Sequence, residues 1–378
     1  MVNKRLVLLT NIQAHYQTSL GRAFSNKLKK DFAMVCWRAI PVEQKNLGWQ
    51  HHPNEEWLIN AWDSASESAR AIEMLRAADV VVWGDGPPLE LKNRVASGKL
   101  TFRYAERLFK RGQWRLFHPR AFKAIREIYK SSERESYHLL SVGPYCAGDF
   151  QLIRAFRGRS WRWGYFPECP IHSKPKDMNR DPVVLWAGRM IPWKRTDLLL
   201  HAAASARAHA GKRFTLRIVG CGPEEERLRA LAAHLQISEM CEFRGPMTPD
   251  AVEREMEEAD IYVLPSNRQE GWGVVLNEAM SRECCVIGNK SAGSVPWLIQ
   301  DGVNGFTFDG SNAEKLGRIL RRCVDHPDLR SELGTAARNT ILDLWSPAVA
   351  AKRLLQLVEA VENGRNPPFE DGGPCSPV

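Results

Sequence analysis

Short apolar runs alternate along the chain with longer stretches in which apolar positions recur every three or four residues. The short runs have the length of strands and the long ones the period of helices, the pattern of parallel sheets wrapped by helices. In the first half the pattern predicts strands over 6–10, 33–37, 80–83, 100–104 and 139–142. Helices fall between them, for example over 20–30, 64–77 and 119–131. Residues 167–182 are dense in proline and charge and read as a linker. A second series follows, with strands over 183–187, 215–219, 242–244, 261–264, 285–287 and 305–308. Its helices are expected over 195–210, 223–235, 249–258 and 274–282, and three more over 313–325, 328–342 and 347–363 close the chain. From Pro367 onward proline and glycine predict a disordered tail. The expected organisation is an α/β domain over 1–166, a linker over 167–181, a second α/β domain over 182–345, a separate helix over 346–363 and a tail over 364–378. Two such halves predict a cleft between them, a preferred place for a ligand.

Composition narrows the class. A chain of 378 residues can build two full cores, and 26% charged with 44% hydrophobic residues is ordinary for a globular protein. No run reaches the roughly 18 apolar residues of a membrane span. The opening M-V-N-K-R-L-V-L-L-T-N lacks a small-residue cleavage site and reads as a first buried strand, not a signal peptide. Nine irregularly spaced cysteines without a C-x-x-C pair point to reduced thiols in a cytoplasmic compartment.

The charge of +9 is concentrated. Residues 99–164 carry 15 Lys/Arg against 5 acids, interleaved with Phe102, Tyr104, Phe109, Trp114, Phe117, Phe122 and Tyr129. Two readings fit: helices lying on an anionic membrane surface from the cytoplasmic side, or helices covering a sheet with their cations in water. No nucleic-acid motif accompanies the charge, so no nucleic-acid partner is expected.

Chemistry concentrates at the strand ends of the second half. After the strand at 261–264, Glu270 lies in a loop, Gly271-Trp272-Gly273-Val274 follows, and Glu278 is expected about two turns into the next helix. In open α/β sheets ligands bind at that edge, glycines let the backbone approach them, and a helix start offers N–H groups to an anion. A carboxylate on each side of an anion site suits a nucleotide-sugar. After the first strand of this half comes Gly188-Arg189-Met190-Ile191-Pro192-Trp193-Lys194. Its guanidinium fork and point charge can bind a diphosphate and favour the charge growing on it as the sugar bond breaks. Val219-Gly220-Cys221-Gly222-Pro223 lacks the third glycine of a nicotinamide fingerprint. It either closes a nucleotide pocket or is a plain tight turn.

These elements resemble glycosyltransferase family 4, retaining enzymes of the GT-B fold. The resemblance rests on G-R-x-x-x-x-K at 188–194, V-G-x-G-P at 219–223, P-S-N-R-Q-E-G-W-G-x-x-x-x-E-A-M at 265–280 and D-G-V-N-G-F at 301–306, in order and spacing over about 182–345. It implies two Rossmann-like domains facing across a cleft, an acceptor-binding one first and a nucleotide-sugar-binding one second, with the last helix crossing back onto the first. By position it implies that Arg189 and Lys194 bind the diphosphate, that Glu270 with the Gly271–Gly273 amides holds the donor sugar and phosphate, and that Glu278 accepts from the ribose. Gly188, Gly220, Gly222, Trp272 and Val274 complete the donor set. Departures are Glu283 and Cys285 where the family usually has a glycine and a proline, and Trp297 where a glutamate often stands. The first half resembles the family in layout alone.

Acceptor-side candidates come from the strand ends of the first domain: His15, Asp85, Glu106 and Arg107. His15 is a structural loop histidine or faces the acceptor; Glu106 contacts the acceptor or pairs with Arg107. The resemblance implies a same-face substitution in which the leaving phosphate takes the acceptor proton, without a protein nucleophile. No Asp-x-Asp pair occurs, so neither metal nor other cofactor is expected. The expected activity is transfer of a sugar from a UDP- or GDP-linked donor to a saccharide or lipid-linked acceptor. A non-catalytic carbohydrate binder and a nucleotide-sugar epimerase on the same fold are the competing readings.

Overall fold

The computed structural model describes residues 4–46, 48–50, 55–110, 112–113, 119–170, 176–177 and 180–378. The chain divides into two compact units, Met1–Glu168 with Trp345–Val378, and Cys169–Leu344.

The first unit is a seven-stranded parallel sheet in the order β3-β2-β1-β4-β5-β6-β7. The strands are β1 Leu6–Thr10, β2 Phe32–Cys36, β3 Leu58–Asn60, β4 Val80–Trp83, β5 Thr101–Ala105, β6 Tyr137–Val142 and β7 Ser160–Trp163. Its helices are α1 His15–Leu28, α2 Val42–Asn46, α3 Ala65–Ala77, α4 Pro88–Ala96, α5 Pro119–Ser132 and α6 Pro144–Leu152. Strands β1, β2, β4 and β6 are buried end to end, as strands covered on both faces must be, while β5 is fully buried at Thr101 and Phe102 alone. The two strands missing from the sequence reading, β3 and β7, are the two edges of this sheet. An edge strand is short and half solvated, so Leu58–Asn60 and the S-W-R-W of β7 carry no continuous apolar run.

The second unit has six parallel strands in the order β10-β9-β8-β11-β12-β13. They are β8 Val183–Ala187, β9 Thr215–Val219, β10 Cys241–Gly245, β11 Ile261–Leu264, β12 Cys285–Asn289 and β13 Phe306–Phe308. Its helices are α7 Thr196–His209, α8 Glu225–His234, α9 Pro249–Glu258, α10 Val275–Ser281, α11 Val295–Leu298, α12 Ala313–Asp325 and α13 Pro327–Asp343. Counted from its own first strand the order is 3-2-1-4-5-6, the doubly wound arrangement, whose direction reverses between β8 and β11. Helix starts follow local chemistry: α9 opens on Thr248, whose hydroxyl accepts from the Ala251 amide, with a proline next. Its core joins Val184 and Trp186 of β8 with Leu198 and Leu199 of α7, Ile218, Val263, Ile287 and Leu316 and Leu320 of α12.

The last helix, α14 Pro347–Glu362, belongs to the first unit and packs on α1. Ser346 caps it by accepting from the Val349 amide, and Pro347 supplies the preset first-turn φ. The segment after Pro367, expected to be disordered, is instead ordered against β7. The Arg162 amide donates to Ser376 O at 2.8 Å, the Cys375 amide to Arg162 O at 2.8 Å, and Trp161 pairs antiparallel with Pro377. Cys375 is fully buried, and the Asp371 carboxylate is paired with Arg353. Unpaired N–H and C=O groups of the β7 edge supply a pull that composition does not reveal.

Candidate active site

Strand order reverses between β8 and β11, the place where doubly wound sheets have their ligand crevice at the carboxyl ends of the strands. Both charged motifs leave from these strands. After β8, residues 192–194 form one 3₁₀ turn, and Arg195 in the left-handed region (φ 54°) redirects the chain into α7. After β11 the loop 266–270 folds back on itself: the Asn267 side chain accepts from the Gln269 amide at 2.9 Å, and Asn267 O accepts from the Glu270 amide at 3.0 Å. The Asn267 amide donates to Trp193 O at 2.9 Å, tying the two loops together. In consequence Lys194 Nζ and Glu270 Oε2 stand 2.5 Å apart, both side chains largely shielded, at 14% and 13% exposure. At that separation in a poorly solvated site the two charges compensate each other. Arg189 leaves the same loop exposed to solvent and has no ion-pair partner among the described residues.

The glycines are placed by backbone contact. Gly220 has φ +124°, and a Cβ there would lie 1.9 Å from Gly188 O. The loops after β8 and β9 are zipped by Gly188 N to Val219 O at 3.0 Å, Met190 N to Cys221 O at 2.8 Å and Glu224 N to Met190 O at 3.1 Å. Gly222 sits in the same seam, against the Met190 backbone. The V-G-x-G turn therefore acts first on the shape of the Gly188–Met190 backbone that carries Arg189. A similar approach fixes the Glu270 side of the crevice: a Cβ at Gly293 would lie 1.8 Å from Gly271 O, and the Ser294 amide donates to Trp272 O at 3.0 Å.

Gly271, Trp272 and Gly273 are buried and precede α10, with Val274 as its N-terminal flank. The helix starts only at Val275, so Glu278 falls in its first turn, not about two turns in, because Gly273 (φ +88°) keeps the preceding residues a loop. Glu278 is 5% exposed. The Trp272 indole points into the protein and donates to Asn277 Oδ1 at 2.8 Å, which leaves its backbone as the part facing the loop. Trp297, in place of the usual glutamate, meets Trp272 edge to face with centroids 6.2 Å apart.

Tyr262 on β11 was not singled out from sequence, where it reads as one apolar position of a buried strand. Its hydroxyl donates to Ala187 O at 3.5 Å, and burial together with the Glu278 and Glu270 charges drives the phenol well above its usual range. It stays a neutral donor beneath both carboxylates. Asn267 stood in the 265–280 motif without a role of its own, and Gly293 was missed, since a glycine in a loop has no signature until its partner is known.

In the first unit the acceptor-side candidates all lie beyond carboxyl ends of strands. His15 opens α1 and packs edge to face with Tyr16 and Trp49, each at 5.2 Å. Asp85, after β4, pairs with Arg38 at 3.1 Å. Glu106 pairs with Lys110 and accepts from Tyr165 OH at 2.9 Å, while Arg107 lies 3.6 Å from Asp149 and 5.0 Å over the Tyr145 ring. Of the two readings of Glu106, the pairing with Arg107 is not found: its partners are Lys110, four residues on in the turn, and Tyr165 across the fold. Below them Thr10 Oγ1 donates to Gln17 Oε1 at 2.6 Å and Gln17 Nε2 to Tyr104 OH at 3.1 Å, a polar chain under the strand ends.

The second unit is thus a doubly wound α/β domain with two cations and two carboxylates in the segments that follow β8 and β11. Residues 170–340, a little under half of the chain, match the family Glycosyl transferases group 1. Among curated relatives, D-inositol 3-phosphate glycosyltransferase of Acidothermus cellulolyticus is 34% identical over 159 residues, 40% of this chain and 35% of that protein. A GDP-mannose-dependent alpha-(1-6)-phosphatidylinositol monomannoside mannosyltransferase of Mycolicibacterium smegmatis is 27% identical over 49% of each chain. The matched stretch thus spans less than half the length of these relatives. Among solved structures, HepE of Anabaena with UDP and glucose superposes with a TM-score of 0.68 at 14% identity, covering 94% of this chain and 100% of that one. WaaG, a glycosyltransferase involved in lipopolysaccharide biosynthesis, gives 0.62 at 17% identity, covering 93% and 99%. At such identities the likeness is one of fold: two parallel Rossmann-like sheets with their helices, as in GT-B glycosyltransferases.

Proposed function

We propose that this protein is a retaining glycosyltransferase that moves a sugar from a UDP- or GDP-linked donor to a hydroxyl of a saccharide or lipid-linked acceptor. The carrying observation is the shielded Lys194–Glu270 pair at the β8/β11 switch point. An incoming diphosphate competes with Glu270 for Lys194, and Arg189 on the same loop closes on it from solvent. Glu270, released from its partner, accepts hydrogen bonds from sugar hydroxyls, and Glu278 from the ribose. As the bond from the anomeric carbon to phosphate oxygen breaks, charge grows on the phosphate, where the two cations are worth most. The acceptor oxygen bonds to the anomeric carbon on the same face, and its proton passes to the leaving phosphate oxygen. Gly188, Gly220 and Gly222 shape the cation loop, and the backbone of residues 271–274 approaches the donor. His15, Asp85, Glu106 and Arg107 are proposed for the acceptor. The basic stretch 99–164 is proposed to meet an anionic membrane, making the protein cytoplasmic and peripheral. Among the described residues no helix is long and apolar enough to cross a membrane.

The test follows nucleotide release and sugar incorporation with UDP- and GDP-sugars and a membrane extract. Diphosphate release should require the extract, and Lys194→Ala or Glu270→Ala should lower turnover by about a hundredfold or more, the scale of losing one transition-state partner. Unchanged transfer in both variants sinks the site assignment. Donor-induced thermal stabilisation without turnover in any extract favours the non-catalytic binder.

A further inference from the structure

Strands β1 and β7 stand four places apart in the first sheet, about 19 Å at the usual strand spacing. The segments that follow them nevertheless meet, with the rings of Tyr16 and Tyr165 4.7 Å apart. The chain after β7 therefore turns back over the carboxyl edge of the sheet, toward the segment after β5, which lies between the two. There Tyr165 OH donates to Glu106 Oε1 at 2.9 Å, and Lys110 pairs with the other carboxylate oxygen. Burial and the Glu106 charge hold the Tyr165 phenol well above its usual range, so it stays a donor. His15 packs edge to face on Tyr16, and Trp49 on His15, which extends the aromatic surface. All five side chains are half-buried and keep part of their surface open. The charges of this edge balance locally. Three cations stand within five residues of its strand ends, and each has a carboxylate: Arg38 pairs with Asp85 at 3.1 Å, Arg107 with Asp149 at 3.6 Å, and Lys110 with Glu106.

We infer that this edge takes an uncharged sugar ring, with Tyr16 and Tyr165 against its C–H face and Glu106 accepting from its hydroxyls. The hydroxyl that receives the transferred sugar then belongs to such a ring, not to a phosphorylated or carboxylated group. A pyranose carries C–H bonds on its faces and hydroxyls around its rim. An aromatic ring offers an electron-rich face to those C–H bonds, and a carboxylate, which only accepts, suits hydroxyl donors. Lys110 and Tyr165 fix the Glu106 carboxylate without exhausting it, since a carboxylate has about four lone-pair sites. A phosphate would instead have to draw Arg38, Arg107 or Lys110 from its partner and leave Asp85, Asp149 or Glu106 uncompensated. The role as acceptor rests on the transferase reading, but the binding of the ring does not.

The test is saturation-transfer NMR on the full chain at millimolar probe. The probes are methyl glycosides of glucose, galactose, mannose and N-acetylglucosamine, and the 6-phosphates of the three hexoses. At least one neutral glycoside should bind, and the phosphates should bind roughly tenfold or more weakly. Tyr16→Ala and Tyr165→Ala should each weaken neutral binding about tenfold, while Tyr16→Phe should keep most of it. Glu106→Gln should weaken the neutral glycoside about tenfold and, by freeing Lys110, strengthen the phosphates, opposite signs that misfolding cannot produce. A loss of both marks a folding defect, and the comparison of Tyr16→Phe with Tyr16→Ala then decides. Preference for the phosphates in the unaltered protein, no signal from any neutral glycoside, or neutral binding unchanged in both Glu106→Gln and Tyr16→Ala overturns the proposal. Thermal stabilisation by UDP- and GDP-sugars is measured in parallel. If it persists while the glycosides fail to bind, the acceptor class is wrong and the transferase reading stands; glycoside binding without donor stabilisation rejects the latter alone.

Discussion

Replacing Gly220 by alanine places a methyl where the fold has put a carbonyl oxygen. The added Cβ would lie 1.9 Å from Gly188 O, more than 1 Å inside any tolerable contact, and φ +124° is itself a glycine conformation. Neither side can give cheaply. Gly220 N is held by Gly245 O at 2.7 Å, and Gly188 and Met190 are held to the facing loop at 3.0 and 2.8 Å. Backbone strain costs about 1–3 kcal/mol, and separating the loops breaks two backbone hydrogen bonds at about 1 kcal/mol each. The expected loss is about 3–5 kcal/mol, or roughly 10 °C in melting temperature for a unit of this size. Gly310→Ala is the control: its φ is +69°, nothing lies within 4 Å of the added methyl, and about 1 kcal/mol is expected. Thermal melts followed by circular dichroism compare the two, with and without UDP. A Gly220 variant that melts within a degree or two of the Gly310 variant refutes the steric reasoning, and an undiminished UDP shift refutes its link to the cation loop.

Glu283 occupies the left-handed region at φ +59°, so Glu283→Gly should relieve about 1 kcal/mol. Losing its 3.5 Å contact with Arg338 returns about half of that, and a melting point that falls instead speaks against strain at this residue. Burial, reinforced by the Arg159 charge, pushes the His138 imidazole down to about 4. The folded protein thus binds fewer protons than the unfolded chain between about pH 6.5 and 4. This contribution is complete above pH 6.5 and is lost as pH falls through that window, up to roughly 3 kcal/mol. Urea midpoints at pH 7 and 5 should draw together in His138→Gln, and an unaltered pH dependence counts against it. Removing residues 371–378 strips the partners from the β7 edge, and light scattering should then show concentration-dependent association. A truncated chain that remains monomeric with an unchanged melting point would show that the edge needs no cover.

The period of apolar residues was enough for two α/β units, their central strands, the loops in which Arg189, Lys194 and Glu270 lie and the helix that carries Glu278. Buried parallel strands and amphipathic helices write themselves locally, and a charged residue in a strand-end loop is visible wherever it falls. The edges β3 and β7 were illegible because a half-solvated strand need not be apolar. The tail after Pro367 was misread because its order comes from the β7 backbone, which no side chain announces. Strand order is also a property of the whole sheet, and it alone put the β8 and β11 loops at one switch point. From there a backbone bond, Asn267 to Trp193, closes Lys194 onto Glu270, two residues 76 positions apart in the chain. The types of charge at the site were thus set by sequence, while their pairing depended on backbone contacts between distant loops.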